Sequence, residues 1–296
     1  MRKFTGNKSL ERWNVHLWFH CRPLPLNLGS NQQKRAPMTI LDRNDAASIA
    51  TLTMNAPDRL NALSDAMLAE LQTAFDAIAD DPTVRVVILK GTGKAFCAGH
   101  DLKEMQAGRQ AQDGGAAYFK DLFDRCAVMM QTIQSIPQPV IAQVHGIATA
   151  AGCQLVATCD LAVAADDTRF GVNGVNIGLF CSTPMVALTR NIHRKAAFEM
   201  LTTGRFINAR EAQGLGLINR AVHSDALSRE TTELAQAIAG KLPNAVKIGK
   251  QAFYEQAQMA TAEAYAYTGD VMVQNMLEAD TNEGINAFLE KRDPNW

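Results

Sequence analysis

Apolar and polar positions change period several times along this chain, and each change marks an element. Residues Ala47–Met54 alternate small polar and apolar side chains, as a half-buried strand does, and Asn55-Ala-Pro-Asp58 ends the run with turn chemistry. Ser64 then precedes Met67, Leu68, Leu71, Phe75 and Ile78, an i, i+3/i+4 series that predicts a capped helix stopping at Asp80-Asp81-Pro82. Val84–Leu89 is continuous and β-branched, the pattern of a strand covered on both faces, and Gly91-Thr92-Gly93 breaks it. The order recurs in helical residues around Tyr118–Ile133, a buried strand at Val140–Val144, a break at Gly146, a short helix at Gly152–Thr158 and a strand at Asp160–Ala164. Beyond Thr183 the strand signals stop. Ala196–Leu201, Ala209–Gly214, Leu227–Ala239, Ala245–Gln256, Ala262–Met276 and Asn282–Glu290 all read as helices.

Strands alternating with helices predict an α/β fold with parallel pairing. The strands between Ala95 and Phe170 are short and unevenly spaced, which favours turns of a coil over a doubly wound sheet. The trailing helices have apolar faces that need their own core or another subunit. Residues 1–37 show neither period and are set apart as an extended N-terminal segment or, alternatively, a transit peptide, since basic residues outnumber the lone acid Glu11. The division expected is 1–37, a core at 38–225, and a C-terminal helical region at 226–296.

Composition narrows the function classes. Hydrophobic residues make up 47% and the net charge is −1, so a sizeable core is available and no basic stripe exists for nucleic acid. The longest apolar runs are too short for a bilayer, so no integral membrane association is expected. Six cysteines (Cys21, Cys97, Cys126, Cys153, Cys159, Cys181) lie far apart without ligand-like spacing. That pattern fits reduced thiols rather than disulfides or a metal site, and hence the cytoplasm or, alternatively, the mitochondrial matrix.

Two Gly/Ala-rich segments each follow a buried strand: Lys94-Ala-Phe-Cys-Ala-Gly-His-Asp-Leu102 and His145-Gly-Ile-Ala-Thr-Ala-Ala-Gly-Cys-Gln154. Small residues there let a ligand approach the backbone, and a helix start offers N–H groups without internal partners. Two such groups aimed at one point would form an oxyanion hole. For either segment by itself, spacing favours tight turns that pack small residues into a core. A phosphate loop is excluded, because Ile88 stands where the first glycine belongs and Ala95 where the Ser or Thr belongs.

Five motifs in order resemble the enoyl-CoA hydratase/isomerase (crotonase) family: Asn55-Ala-Pro-Asp-Arg-Leu-Asn-Ala-Leu63, Ala95–Leu102, Gly146–Leu155, Cys159-Asp160 and Glu283–Arg292. The resemblance runs from Thr39 to the C-terminus. It implies a crotonase-like spiral of ββα units, followed by C-terminal helices that mediate trimerisation, often as a dimer of trimers. It also implies an acyl-CoA or enoyl-CoA substrate, coenzyme A being part of that substrate and no separate cofactor or metal being needed. By the same resemblance His100 and Ala151 supply the oxyanion N–H groups. Arg59, Asn61, Ala62 and Leu63, with Ala98, Asp101 and Leu102, match positions along the coenzyme A moiety, and Phe288 and Lys291 match positions that reach a neighbour's coenzyme A.

The pattern also breaks. The two glutamates that activate water in classical hydratases match Gln154 and Gly174 here. An amide can hold a water but cannot take its proton, and glycine does neither. A positioned acid–base group gives ~10²–10⁴-fold in rate, so the loss is large. Among substitutes, His100 is expected to act through its backbone with its ring toward solvent, Glu104 to be an exposed helix-start residue, and Asp101 to cap that helix. Cys181 is expected to be an inert buried thiol, while Asp160 and Asp166-Asp167 serve turns. The readings that follow are a hydratase/isomerase-type enzyme with Gln154 positioning water or substrate, thioester hydrolysis or decarboxylation in the same hole, and a non-catalytic acyl-CoA binding module.

Overall fold

The computed structural model describes residues 39–295; the segment set apart at 1–37 lies outside them. The chain opens with β1 (Leu41–Ala46) and β2 (Ile49–Met54), an antiparallel hairpin whose turn residues Ala47 and Ser48 have φ of 51° and 61°. Two positive φ values make a primed turn, which usually takes Asn or Gly. Here the turn signal is missing, and polar, exposed β1 shows no apolar alternation, so the strand was not legible. Ser64 caps α1 (Asp65–Ala79) by accepting from Met67 N–H, and the five expected apolar positions are its buried ones.

The main sheet runs β1-β2-β3-β4-β6-β9, with β3 (Val86–Gly91), β4 (Val140–Val144), β6 (Leu161–Ala165) and β9 (Arg220–Val222) all parallel to β2. Both faces are covered, which is why these strands read as continuous apolar runs. Ala50, Leu52, Val87, Leu89, Val140 and Ala142 point into the larger core. The alternate residues Ile49, Val86, Ile88, Ile141 and Val163 face α8 (Leu227–Ala239). Helix α8 thus packs on the sheet, and the sheet-packed part of the chain runs past 225. A second sheet, β5-β7-β8, joins β5 (Ile147–Thr149), β7 (Arg169–Gly171) and β8 (Phe206–Asn208). The expectation of no strand beyond Thr183 is therefore corrected: β8 and β9 are three-residue strands that borrow their order from neighbours, too short for a period to show.

The helices between are α2 (Leu102–Gly108), α3 (Ala116–Ser135), α4 (Ala151–Thr158), α5 (Ser182–Asn191), α6 (Arg194–Thr203) and α7 (Ala209–Leu215). The chain closes with α9 (Pro243–Gln256), α10 (Thr261–Met276) and α11 (Ala279–Glu290). Among the described residues no helix is long and apolar enough to cross a membrane, and no cluster of acidic, His and Cys side chains is arranged to hold a metal ion.

Candidate functional site

The two Gly/Ala-rich segments leave the C-terminal ends of the adjacent strands β3 and β4, and the structure zips them together. Cys97 N–H donates to Ile147 O at 3.2 Å and Thr149 N–H donates to Cys97 O at 3.0 Å. Gly152 at the start of α4 lies against Cys97; a Cβ on it would sit 2.1 Å from the Cys97 carbonyl oxygen. Gly99, at φ 90°, lies against the second segment less tightly, since a Cβ there would be 3.2 Å from Ala151 N. Contact excludes a Cβ at Gly152, and the positive φ strains one at Gly99.

Several neighbouring amides are engaged: Ala98 N–H donates to Leu60 O, Leu63 N–H to Gly99 O, and Ala150 N–H to Gly171 O. The amides of His100 and Ala151 have no acceptor among the described residues. For Ala151 the reason is its place as first residue of α4, where no carbonyl lies one turn behind. Ala150, just before it, is held at φ 51° and ψ −121°, a conformation that costs a non-glycine residue of order 1–3 kcal/mol. The fold maintains this strained residue at the point where the second amide is presented.

The side chains expected around the amides divide sharply. Gln154 is buried on α4 with its Oε1 unpartnered. The His100 ring does not point to solvent, which corrects that expectation. Its Nδ1 lies 3.4 Å from Leu63 O, and its edge meets Phe123 with centroids 5.6 Å apart. Its Nε2 is buried without a partner. Burial lowers the His100 pKa below its ordinary 6.5.

Asp101 does cap α2, accepting from the N–H groups of Lys103 at 2.8 Å and Glu104 at 3.2 Å. Burial pushes its carboxyl upward, but those amides and Arg59 outweigh burial and leave its pKa low. Glu104 is not a free helix-start residue. Its carboxylate accepts from Arg59 at 2.9 Å and from Asp65 N–H at 2.8 Å. Arg59 bonds Asp101 as well, at 2.5 Å, so its guanidinium stitches the 55–63 loop to α2. Asn61 is fully buried; its side chain accepts from Ala56 N–H and donates to Thr92 O and Ala95 O. Every polar atom of that side chain is spent on folding the loop. Ala62 and Leu63 are buried, Ala98 is half-buried, and Leu102 is exposed at the start of α2. Phe288 and Lys291 are not brought to this cluster. Phe288 is 82% exposed on α11 and Lys291 is that helix's left-handed cap.

Gly174 is not a vacant place for a carboxylate. It is buried, and a Cβ there would lie 2.3 Å from Leu179 O and 2.9 Å from Cys181 Sγ. The loop has closed over the position, so a glutamate cannot return without moving backbone. Cys181 is buried and burial raises its pKa; burial pushes the Cys153 thiol on α4 up to about 12.

Sequence reading missed one buried cluster. Asp160, assigned to a turn, accepts from Lys250 Nζ at 2.7 Å, Tyr254 Oη at 2.8 Å and Val140 N–H at 2.6 Å. Lys250 also donates to Ile133 O and Gln138 O. Its signal was present: Lys250 and Tyr254, four apart, share one face of a predicted helix. A cavity of about 410 Å³ opens near Arg85, Gln138 and Lys247, at the opposite, N-terminal ends of β3 and β4, and none of the candidate site residues lines it.

The sequence profile of the enoyl-CoA hydratase/isomerase family matches residues 44–296. Enoyl-CoA hydratase domain-containing protein 3, mitochondrial, of Xenopus laevis is 43% identical over 267 residues, covering 90% of this chain and 88% of the relative. The crystal structure of an enoyl-CoA hydratase from Mycobacterium smegmatis superposes with a TM-score of 0.84 at 53% identity, covering 88% of this chain and 99% of that one. The crystal structure of human enoyl coenzyme A hydratase domain-containing protein 3 gives 0.83 at 43% identity, covering 87% and 100%.

Proposed function

The chain belongs to the enoyl-CoA hydratase/isomerase family, and from that premise we propose that it binds an acyl-CoA and holds the enolate of the thioester between the main-chain amides of His100 and Ala151. Its α/β spiral with trailing helices is the crotonase-like fold of that family. The observation that carries the proposal is the pair of unpartnered amides on backbone segments packed against each other. A donor aimed at a developing oxyanion is worth about 3 kcal/mol, and the fold leaves two such donors unused.

Gln154 offers a buried lone pair that positions a water or the substrate. Coenzyme A enters as part of the substrate, along the surface of the 59–63 loop and the Ala98–Leu102 segment. The apolar, exposed faces of α10 and α11 support self-association as a trimer or a dimer of trimers, which would carry Phe288 and Lys291 to a neighbour's ligand. The location in the Xenopus relative's name supports a mitochondrial location over the cytoplasm.

A second reading is favoured by Gln154 and Gly174, neither of which takes a proton: the same amides serve thioester hydrolysis or decarboxylation, or bind without turnover. Three measurements separate these. Hydration removes the conjugated enoyl absorbance of crotonyl-CoA, hydrolysis releases free thiol from a saturated acyl-CoA, and calorimetry reports binding alone. Absence of acyl-CoA binding in calorimetry would sink the proposal in every form.

A further inference from the structure

The chemistry proposed above needs a proton acceptor, and the groups near the two amides can be taken one by one. Gln154 is an amide and Gly174 has no side chain. Asp101 is committed to Arg59 and the α2 amides, and Glu104 to Arg59 and Asp65 N–H. The Cys153 and Cys181 thiols are buried and hard to ionise. The His100 imidazole is what remains.

Its surroundings fix its state. Leu63 O only accepts, so Nδ1 carries the proton of the neutral ring and Nε2 carries the lone pair. Phe123 braces the ring edge-on. The charges nearby are Asp65 on α1 and Arg125 on α3, which pair with each other at 2.6 Å; Tyr118 and Glu104 are tied to the same corner through Asp65. The site thus keeps the ring neutral at neutral pH while leaving Nε2 buried and unpartnered. An unmet buried polar atom costs about 1–3 kcal/mol, so the fold holds this nitrogen free at a cost.

Resting on the acyl-CoA reading, we infer that the His100 side chain, whose own N–H is one of the two free amides, is the base that removes the α-proton of the bound thioester. Nε2 takes the proton, and the C–H electron pair becomes the enolate, with its charge on the thioester oxygen between the His100 and Ala151 amides. The imidazolium then returns the proton to carbon. One residue supplies both the electrophilic donor and the proton acceptor, and the missing glutamate pair is not needed for this step.

The test follows exchange of the α-protons of butyryl-CoA in D₂O by proton NMR, alongside calorimetric binding of the same ligand. His100→Asn keeps the backbone amide and an N–H that can reach Leu63 O. It should bind butyryl-CoA as the wild type does and lose exchange by ~10²–10⁴-fold. His100→Gln, which keeps an acceptor but no basicity, should lose exchange equally. In the wild type the exchange rate should rise with pH through the imidazole's depressed pKa and then level off, and neither variant should show that rise. Undiminished exchange in either variant, or wild-type binding without exchange, overturns the inference and leaves the oxyanion reading standing. Failure of the wild type to bind butyryl-CoA removes both together.

Discussion

Helices α4 and α10 make opposite use of apolar residues. All eight residues of α4 are buried, whereas none of the sixteen in α10 is. Around α10 the chain exposes Tyr265, Met272, Val273, Met276 and Leu277, and α11 adds Phe288 and Leu289. A patch of this kind is what the proposed self-association would cover. Helix α4 is enclosed by this chain's own residues, whereas α10 and α11 leave apolar side chains uncovered. Apolar content alone does not say what an element packs on; the two helices differ in what the rest of the chain brings to them.

The seam between these regions is where the contrast breaks most readily. Helix α9 leads into the tail and is riveted to the core by Lys250, whose pKa burial lowers against the pull of Asp160. Lys250→Met should cost about 3–5 kcal/mol in urea unfolding, because it strands a buried carboxylate. The double variant with Asp160→Asn should recover part of that loss. Gly152→Ala strikes the core itself, setting a methyl against the Cys97 carbonyl, and should cost about 3 kcal/mol by the same measurement and abolish acyl-CoA binding. Leu277→Asp with Phe288→Asp acts on the tail alone. It should lower the mass seen by light scattering while changing the unfolding free energy of the single full-length chain by less than about 0.5 kcal/mol.

The smallest effect is on pH dependence. His100 has a folded-state pKa below its unfolded value, so the unfolded chain binds its proton first as the pH falls. Stability should therefore decline as pH falls from 6.5 toward the depressed folded value and be unaffected by His100 above 6.5. In His100→Asn this part of the decline should vanish. An unchanged acid limb in that variant would mean that other groups control it.

Much of this protein was legible in one dimension. The periods of α1, β3, β4 and α8 declare themselves because each element meets one kind of surface along its length. The two Gly/Ala-rich segments were visible for a related reason: close backbone approach tolerates few residue types, so it leaves a compositional trace. Strands β1, β8 and β9 left none, being short or at an edge.

The sequence by itself determined the α/β alternation, the family and the two Gly/Ala-rich segments that the fold packs together. Only the tertiary structure decided what the ionisable side chains are. It buried the His100 ring against a carbonyl 37 residues away, locked Arg59 to Asp101 and Glu104, joined Asp160 to a lysine 90 residues on, and closed the loop over Gly174. The physical reason is that a backbone pattern is set by near neighbours in sequence, whereas desolvation and charge are set by whatever the fold places within a few ångströms.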